Sequence, residues 1–399
     1  MILLIKNARV IKPHNIVNAD VLVEGGKIRD IGRNIIAPEG ISHIIDAKNN
    51  YLSPGFIDMH VHGGGNFHFG DGTDEAFRAV TSTHLMYGTT SMLCTLTSSS
   101  TDELMRSVKI FNKYKIKEDM LEGFPNLLGI HIEGPYFSAT ERGAQNAAQL
   151  RLPDPNEYMQ ILEETPYIRK WSAACELPGA LQFARDITER NVIASIGHSN
   201  ADYYEVLKAL DYGYESITHF YSGCSSLHRI GAWRHAGVVE AGLLLAELWV
   251  EVIADGCHLP EPFLKLIYKV KGAENICLVT DSIRAGGVEN AHEIYKDGSK
   301  RDASHFIVED NVAFVPEKTS FAGSVATTNR LVRTMRDIGG VNIVEAVRMA
   351  SLTPARKLGV DRTKGSIEVG KDADLVLFDD NVDVNGVIVM GKIISLKKA

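Results

Sequence analysis

The sequence predicts an α/β protein: a TIM-type (β/α)8 barrel with a small β-sandwich domain formed by both termini. Through the middle of the chain, eight apolar, strand-like segments alternate with amphipathic, helix-like segments. Nearly continuous apolar strands separated by helices are typical of a parallel barrel, because its strands are covered on both faces. A further observation, the likeness between the two ends of the chain, predicts the appended β domain.

The predicted barrel strands cover residues 55–62, 89–95, 127–133, 171–175, 192–198, 216–219, 249–255 and 276–281. Helix-like segments lie between them at 74–87, 102–114, 179–190, 202–212 and 261–270. The predicted strands are unevenly spaced along the chain, and the sixth is short. The barrel prediction therefore depends on the alternation of strand-like and helix-like segments.

The two ends of the chain share a pattern of short alternating segments. Residues 1–53 contain three of them around a Gly25-Gly26 pair that is typical of a hairpin turn, and residues 365–395 repeat the pattern. Neither end has enough strands to bury a core of its own. We therefore expect 1–53 and 357–399 to form one small β-sandwich domain, and 54–356 to form the barrel.

Composition excludes several classes of protein. The 399 residues are 45% hydrophobic and 23% charged, with a formal net charge of -8 and no basic stripe, so nucleic acid is not an expected partner. No apolar run is long enough to span a bilayer, and the opening MILLIKNARVI is expected to form a strand rather than a signal peptide. Five irregularly spaced cysteines favour a cytoplasmic protein without disulfides.

Imidazoles and carboxylates occur at the carboxyl ends of the predicted barrel strands. The candidate ligands are His60, His62, Glu133, His198, His219 and Asp281. Active sites of this fold are assembled from those strand ends, so the side chains are expected to meet at one mouth. A single histidine or carboxylate in a strand is usually structural; the joint pattern predicts a site for one or two divalent ions. Zinc is favoured, with iron, manganese or cobalt as alternatives.

The spacing gives each candidate ligand a role. His60 and His62 are two residues apart, so both can face the barrel mouth and bind one ion. Glu133 can bridge to a second ion held by His198 and His219. Asp281 can reach the first ion and its water, and a carboxylate ending an apolar strand is costly without such a partner.

Several motifs together resemble one enzyme family. PGFIDMHVHG, HIEGPYF, GHSNAD, THF, IADGCH and VTDS occur in this order, and GKDADLVLF lies near the end of the chain. The set is similar to the N-acetylglucosamine-6-phosphate deacetylases of the amidohydrolase superfamily, over nearly the whole chain. The resemblance implies a homodimer, a principal metal on Glu133, His198 and His219, and room for a second ion because His60 and His62 are both present. Asp281 is then expected to be the catalytic base.

The resemblance also implies residues that bind the substrate. His258 and an arginine after the sixth strand are expected to bind the sugar phosphate, with Arg229 and Arg234 as the candidates. Gln145 stands where the family has a substrate-contacting histidine, and it can donate a hydrogen bond but carry no charge.

Other loop positions depart from the family pattern. Ser222-Gly223-Cys224 replaces the usual Asn-Ala-Met, with Ser222 and Gly223 still expected at the substrate. Arg284, three residues after Asp281, is expected to add a cation near the mouth. These changes touch substrate loops and leave the predicted metal ligands intact.

The predicted function is metal-dependent deacetylation of N-acetyl-D-glucosamine 6-phosphate, a small-molecule amino-sugar phosphate. One alternative keeps the chemistry on another N-acyl amino-sugar phosphate, such as N-acetylgalactosamine 6-phosphate. A second alternative is a cyclic-amide hydrolase of the same superfamily; the end of the fourth strand holds Cys175 and Glu176 instead of a lysine, which argues against it. A third is a protein that has lost catalysis, against which the intact Asp281 argues.

Overall fold

The computed structural model describes residues 1–117, 123–295 and 306–397. Eight parallel strands form one sheet and follow one another around it in chain order, which confirms the predicted barrel. These barrel strands, numbered first to eighth, are Phe56–Val61, Thr89–Leu96, Asn126–Glu133, Ile168–Ala173, Ile193–Ile196, Tyr214–Ile217, Trp249–Val252 and Ile276–Leu278.

Helices cover the outside of the strands. They are Asp74–Met86, Thr101–Lys115, Pro155–Glu164, Ala180–Thr188, Tyr203–Leu210, Val238–Leu244, Glu261–Lys271, Ala291–Ile294, Thr328–Asp337, Ile343–Met349 and Leu352–Lys357. Their apolar faces and the outward-facing strand residues share one large hydrophobic core. Capping residues set where helices begin: Ser100 and Glu103 exchange hydrogen bonds at the first turn of Thr101–Lys115, which satisfies two otherwise unpaired backbone N–H groups.

Backbone hydrogen bonds close the ring at the carboxyl ends of the strands. The N–H of Asp281 donates to the carbonyl of His60 over 2.8 Å, and the N–H of His62 donates to the carbonyl of Ser282 over 2.9 Å. The first strand is therefore joined to the segment that follows the eighth. This closure brings Asp281 beside His60 and His62, the arrangement that a shared metal site needs.

The fourth strand begins three residues earlier than the sequence pattern indicates and ends at Ala173. Arg169 and Lys170 give the start of this segment a polar appearance, which hid it from a pattern based on apolar runs. Lys170 is nevertheless fully buried, with its ammonium group ion-paired to Glu251 of the seventh strand. A tertiary ion pair thus allows a lysine inside the barrel.

Both termini join in one eight-stranded sheet, as predicted. Its strands are Ile2–Ile11, Ile16–Glu24, Lys27–Gly32, His43–Asp46, Tyr51–Pro54, Leu375–Phe378, Val384–Val389 and Lys392–Leu396. Leu375–Phe378 pairs with Tyr51–Pro54, which links the two ends of the chain. Some buried residues of this sheet form a hydrophobic cluster of their own, whereas others, among them Ile11, Val376 and Phe378, belong to the core of the barrel.

Within the described ranges, no helix combines the length and the apolar character needed to cross a membrane. The five cysteines, all of which fall within those ranges, form no disulfide.

Candidate metal centre

Five side chains at or just beyond the ends of the first, third, fifth and sixth strands form two overlapping groups of metal-ligand type. One group is His60, His62 and Glu133, and the other is Glu133, His198 and His219. In each group the ligand atoms lie within 4.8 Å of one another and all the residues are buried. The structure therefore brings together the predicted ligands, with Glu133 common to both groups.

Glu133 lies at the centre of the cluster. Its Oε1 is 2.9 Å from Nε2 of His219 and 3.2 Å from Nε2 of His198. Its Oε2 is 3.1 Å from Nε2 of His62. Because each oxygen faces a different group, the carboxylate has the geometry of a bridge between two ligand sets.

Two of the imidazoles are oriented by backbone carbonyls. Nδ1 of His198 lies 2.8 Å from the carbonyl oxygen of Glu141, and Nδ1 of His219 lies 3.0 Å from that of Ser222. A carbonyl can only accept, so Nδ1 carries the hydrogen and the lone pair of each neutral ring is on Nε2. Both lone pairs thus point toward Glu133 and are suited to bind a metal ion.

The first-strand pair is oriented differently. Nδ1 of His60 is 3.1 Å from a carboxylate oxygen of Glu251, and its Nε2 is 3.1 Å from Nε2 of His62. His62 stacks on His68, with ring centroids 5.3 Å apart. Among the described residues, the buried Nδ1 of His62 has no hydrogen-bond partner. Two imidazole nitrogens that face each other at this distance, with carboxylates on either side, fit a shared cation.

Asp281 borders the first-strand pair. Its Oδ1 is 3.4 Å from Nε2 of His60 and 3.3 Å from Nε2 of His62. The carboxylate is therefore close enough to serve both as a ligand and as an acceptor for a proton from water held at the same place.

Three residues of the cluster have a left-handed backbone. The φ angles are 45° at His198, 28° at His219 and 47° at Asp281. Residues other than glycine adopt this region rarely, and such conformations cluster at functional sites. Each lies just beyond the end of its barrel strand, where the chain turns the side chain across the mouth.

The cluster is electrostatically coupled. Burial alone would raise the pKa of Asp281, but the charges of His60 and His62 outweigh it and lower that pKa to about 2. Burial opposes a charge on His62 as well, yet hydrogen bonds to Asp281 and Glu133 raise its pKa to about 10. Without a metal, the carboxylates are balanced by imidazole protons, which a divalent cation would replace. The nitrogen and oxygen donor set fits an ion of the zinc class.

Gln145 contacts the shared carboxylate. Its Nε2 donates to Oε2 of Glu133 over 2.7 Å, and its own oxygen accepts from the hydroxyl of Thr97 over 2.8 Å. The structure therefore places this predicted substrate-binding residue as a support for Glu133. Histidine in the same place could also donate one such bond.

The Ser222-Gly223 segment packs against the imidazoles. The Ser222 carbonyl accepts from His219, and a Cβ added at Gly223 would lie 2.7 Å from Nδ1 of His198. Glycine here allows the loop to approach His198 closely, which brings backbone groups of this loop to the edge of the cluster.

His258 is held at the end of the seventh strand. Its Nδ1 is 2.9 Å from Oδ2 of Asp255, and its ring lies 4.4 Å from that of Phe321. Arg330 donates to the carbonyl of Asp255, which fixes the same loop. His258 is thus oriented through Nδ1, and no hydrogen bond to its Nε2 comes from the residues that the structure describes.

The two candidate phosphate-binding arginines lie on an exposed hairpin after the sixth strand. His228–Ile230 pairs with Trp233–His235, and this pairing places Arg229 opposite Arg234. Both arginines are exposed, and within the part of the chain that the structure describes no hydrogen bond or ion pair joins either of them to a residue of the cluster. Their role in phosphate binding therefore stays a prediction.

The charge of Arg284 is paired with a carboxylate. Its guanidinium forms two hydrogen bonds with the carboxylate of Asp71, at 3.0 and 2.6 Å, and a third with the carbonyl of Asn66. The cation instead fixes the loop after the first strand to the loop after the eighth. Arg284 was predicted to add a cation near the mouth, and in the structure the charge of this cation is paired with Asp71.

Sequence reasoning missed the ion pair between Lys170 and Glu251. Burial alone would raise the pKa of Glu251, but Lys170 and His60 lower it to about 2, so this carboxylate is charged. Glu133 was identified because a carboxylate in an apolar strand is costly to bury. Glu251 is also a carboxylate in an apolar strand, so the same argument could have identified it. His131 lies within hydrogen-bond distance of the Ser172 hydroxyl at 2.8 Å, and its ring packs edge-on against that of His60 at 4.5 Å.

The barrel, its appended sheet and a histidine–carboxylate cluster at the strand ends define a class of hydrolase, and the chain belongs to the amidohydrolase family, whose model matches residues 51–394. More particularly, it is 32% identical to the N-acetylglucosamine-6-phosphate deacetylase of Lysinibacillus sphaericus over 386 residues, covering 94% of this chain and 92% of that protein. The crystal structure of the deacetylase of that name from Pasteurella multocida is similar, with a TM-score of 0.88 at 29% identity, covering 98% of this chain and 99% of the other. An N-acetylgalactosamine-6-phosphate deacetylase from Escherichia coli O157:H7 is 30% identical, covering 86% of this chain and 88% of that protein.

Proposed function

We propose that this chain hydrolyses the acetamide of N-acetyl-D-glucosamine 6-phosphate to D-glucosamine 6-phosphate and acetate, in amino-sugar catabolism. The observation that carries the proposal is the pair of ligand groups that share Glu133, with Asp281 beside them at the barrel mouth. The relative from Lysinibacillus sphaericus, which aligns with 94% of the chain, supports the choice of substrate.

The cofactor that we propose is one or two divalent ions, with zinc favoured over iron, manganese and cobalt. His60, His62 and Glu133 would hold one ion, and Glu133, His198 and His219 the other. A divalent ion in such a site makes a water molecule more acidic and polarises the amide carbonyl.

Asp281 is the residue to which we assign proton transfer. Its low pKa keeps the carboxylate ionised at neutral pH, ready to accept a proton. As the water oxygen adds to the amide carbon, Asp281 takes the water proton. It then donates that proton to the sugar nitrogen as the C–N bond breaks, so that the amine leaves and acetate remains.

Residues at the edge of the cluster would bind the sugar phosphate. His258, with Nδ1 fixed by Asp255, presents its Nε2 as a donor or acceptor. Backbone groups of Ser222 and Gly223 lie beside the imidazoles, and Gln145 contributes by holding Glu133. Arg229 and Arg234 would reach a phosphate from the exposed hairpin.

We propose a homodimer in which that hairpin packs on the partner subunit. Trp233 is 78% exposed and Ile230 is 60% exposed, which is costly for apolar side chains that remain in water. A second subunit would cover them and would place the arginines near a neighbouring site. Light scattering after size exclusion gives the mass that tests this. The cytoplasm is the proposed location, supported by five cysteines that form no disulfide.

The test of the activity is acetate release by the purified, metal-loaded protein. N-acetylglucosamine 6-phosphate is compared with the unphosphorylated sugar and with the galactose epimer. Fast release that requires both the phosphate and the glucose configuration is the expected result. No release from any of the three, with metal bound, would refute the proposal.

N-acetylgalactosamine 6-phosphate is the second candidate substrate, because the Escherichia coli O157:H7 relative of that name is 30% identical. The Ser222-Gly223-Cys224 segment, which departs from the family pattern, lies at the edge of the cluster, where it would contact the sugar hydroxyls. A higher kcat/KM on the galactose epimer would favour this candidate and leave the proposed chemistry unchanged.

A further inference from the structure

A buried ion pair lies next to the candidate metal centre. Lys170 of the fourth strand donates from its ammonium group to Oε1 of Glu251 on the seventh strand, and neither side chain has exposed surface. Two charges in such a place lose their hydration, and packed apolar side chains would often serve stability equally well. Stability alone therefore does not account for this pair.

The second oxygen of Glu251 contacts the metal cluster. Oε2 lies 3.1 Å from Nδ1 of His60 and 3.3 Å from the backbone nitrogen of His219. Lys170 thus occupies one oxygen of the carboxylate and leaves the other to two residues of the ligand set.

We propose that Glu251, held in place by Lys170, is the positioning residue that makes His60 a metal ligand. Nδ1–H of His60 donates to Glu251, which leaves the lone pair on Nε2, 3.4 Å from Oδ1 of Asp281. The inference rests on the proposed function, since it concerns the ligands of the same metal site.

The other histidines show why His60 depends on this carboxylate. His198 and His219 are oriented by backbone carbonyls, whose positions the chain fixes. His62 has no partner at Nδ1 within the described residues. The Glu251 carboxylate thus selects the tautomer of His60. A carboxylate partner also makes the imidazole a stronger metal ligand.

Two double variants separate positioning from stability. Lys170→Met with Glu251→Gln and Lys170→Met with Glu251→Leu both remove the ion pair without leaving a lone buried charge. Their side chains are close in size, but only glutamine keeps an oxygen that accepts from His60. Both are stripped of metal, and Zn²⁺ binding is measured by calorimetry and by elemental analysis, beside the melting temperature.

The expected result is that the leucine variant binds the ion at His60 and His62 about 10–100-fold more weakly than the glutamine variant. It would then hold less metal at limiting zinc, while the two melting temperatures remain similar. Equal zinc affinity in the two variants would overturn the inference.

A third variant covers the case in which the leucine protein does not fold. Glu251→Asp keeps a carboxylate for Lys170 to pair with. Its side chain is one methylene shorter, so the oxygen that accepts from His60 lies farther from Nδ1. It is expected to weaken the same ion, and wild-type affinity would again overturn the inference. Zinc binding by the unaltered chain is measured alongside: its absence would refute the proposed metal-dependent function itself, whereas its presence with equal affinities in the variants would refute only the role of Glu251.

Discussion

Asp281→Asn is the substitution that most directly tests the proposed chemistry. Asparagine has nearly the same shape, and it adopts a left-handed backbone such as the φ of 47° at this position as readily as aspartate does. The amide oxygen can remain near His60 and His62, where Oδ1 now lies 3.4 and 3.3 Å from their Nε2 atoms. The change therefore removes a charge and a proton acceptor without disturbing the chain.

The size of the effect follows from the role of the lost group. A positioned general base contributes about 10²–10⁴-fold to a rate, which corresponds to about 3–5 kcal/mol of barrier. We expect kcat to fall by about that factor at saturating zinc and substrate. Acetate release measures the rate, and elemental analysis establishes that zinc is still bound.

Asp255→Asn is the matched control, since it makes the same change in another buried carboxylate at the mouth. Asp255 holds His258 at 2.9 Å, and within the described ranges no hydrogen bond or ion pair joins Asp255 to His60 or His62. The Asp255→Asn variant should show a larger rise in KM than fall in kcat. If Asp281→Asn binds zinc and retains wild-type turnover, Asp281 is not the base.

Three further predictions concern the surroundings of the cluster. Gln145→Leu should lower zinc affinity about 10-fold, because Glu133 loses its 2.7 Å hydrogen bond, whereas Gln145→His should retain most of it; equal affinities in calorimetry would contradict this role. Replacing both Arg229 and Arg234 with alanine should raise KM for the phosphorylated substrate about 10-fold or more and leave the unphosphorylated sugar unaffected, since the loss of one charged contact is worth about 1.4 kcal/mol or more. Zinc binding near pH 7 should release protons, because His62 has a pKa of about 10 in the metal-free cluster and holds a proton that zinc displaces. Affinity should accordingly rise with pH toward that value, and calorimetry in two buffers of different ionisation enthalpy counts the protons; zero release would show that His62 is already neutral.

The barrel was predictable because its strands are short, apolar and separated by amphipathic helices. The ends of several strands were marked by a residue whose burial is costly, such as Glu133 or His198, so the mouth could be located as well. Closure between the first strand and Asp281 depends on backbone hydrogen bonds across the chain, which no local pattern encodes.

Polar residues inside the barrel limited the prediction. Lys170 made the start of the fourth strand look exposed, although the lysine is buried against Glu251. An ion pair between residues 81 positions apart has no local signature, and hydrophobic periodicity treats both partners as surface residues.

The contacts that side chains make around the metal cluster could not be predicted from the sequence. Gln145 was expected at the substrate, which stays a prediction, and its contact with Glu133 was not foreseen. Arg284 was expected to add a cation near the mouth, and its ion pair with Asp71 was not foreseen. The sequence shows that such side chains follow the strand ends, but the direction each one takes is decided by the fold of the loops.

The left-handed backbone at His198, His219 and Asp281 has a consequence for protein design. Copying these side chains onto the strand ends of another barrel would not reproduce the cluster, because an ordinary strand ending directs its last side chains elsewhere. A designer would have to transplant the turns as well, at a conformational cost of about 1–2 kcal/mol for each such residue. The turns that follow the strands are therefore as necessary to the geometry of this centre as the histidines themselves.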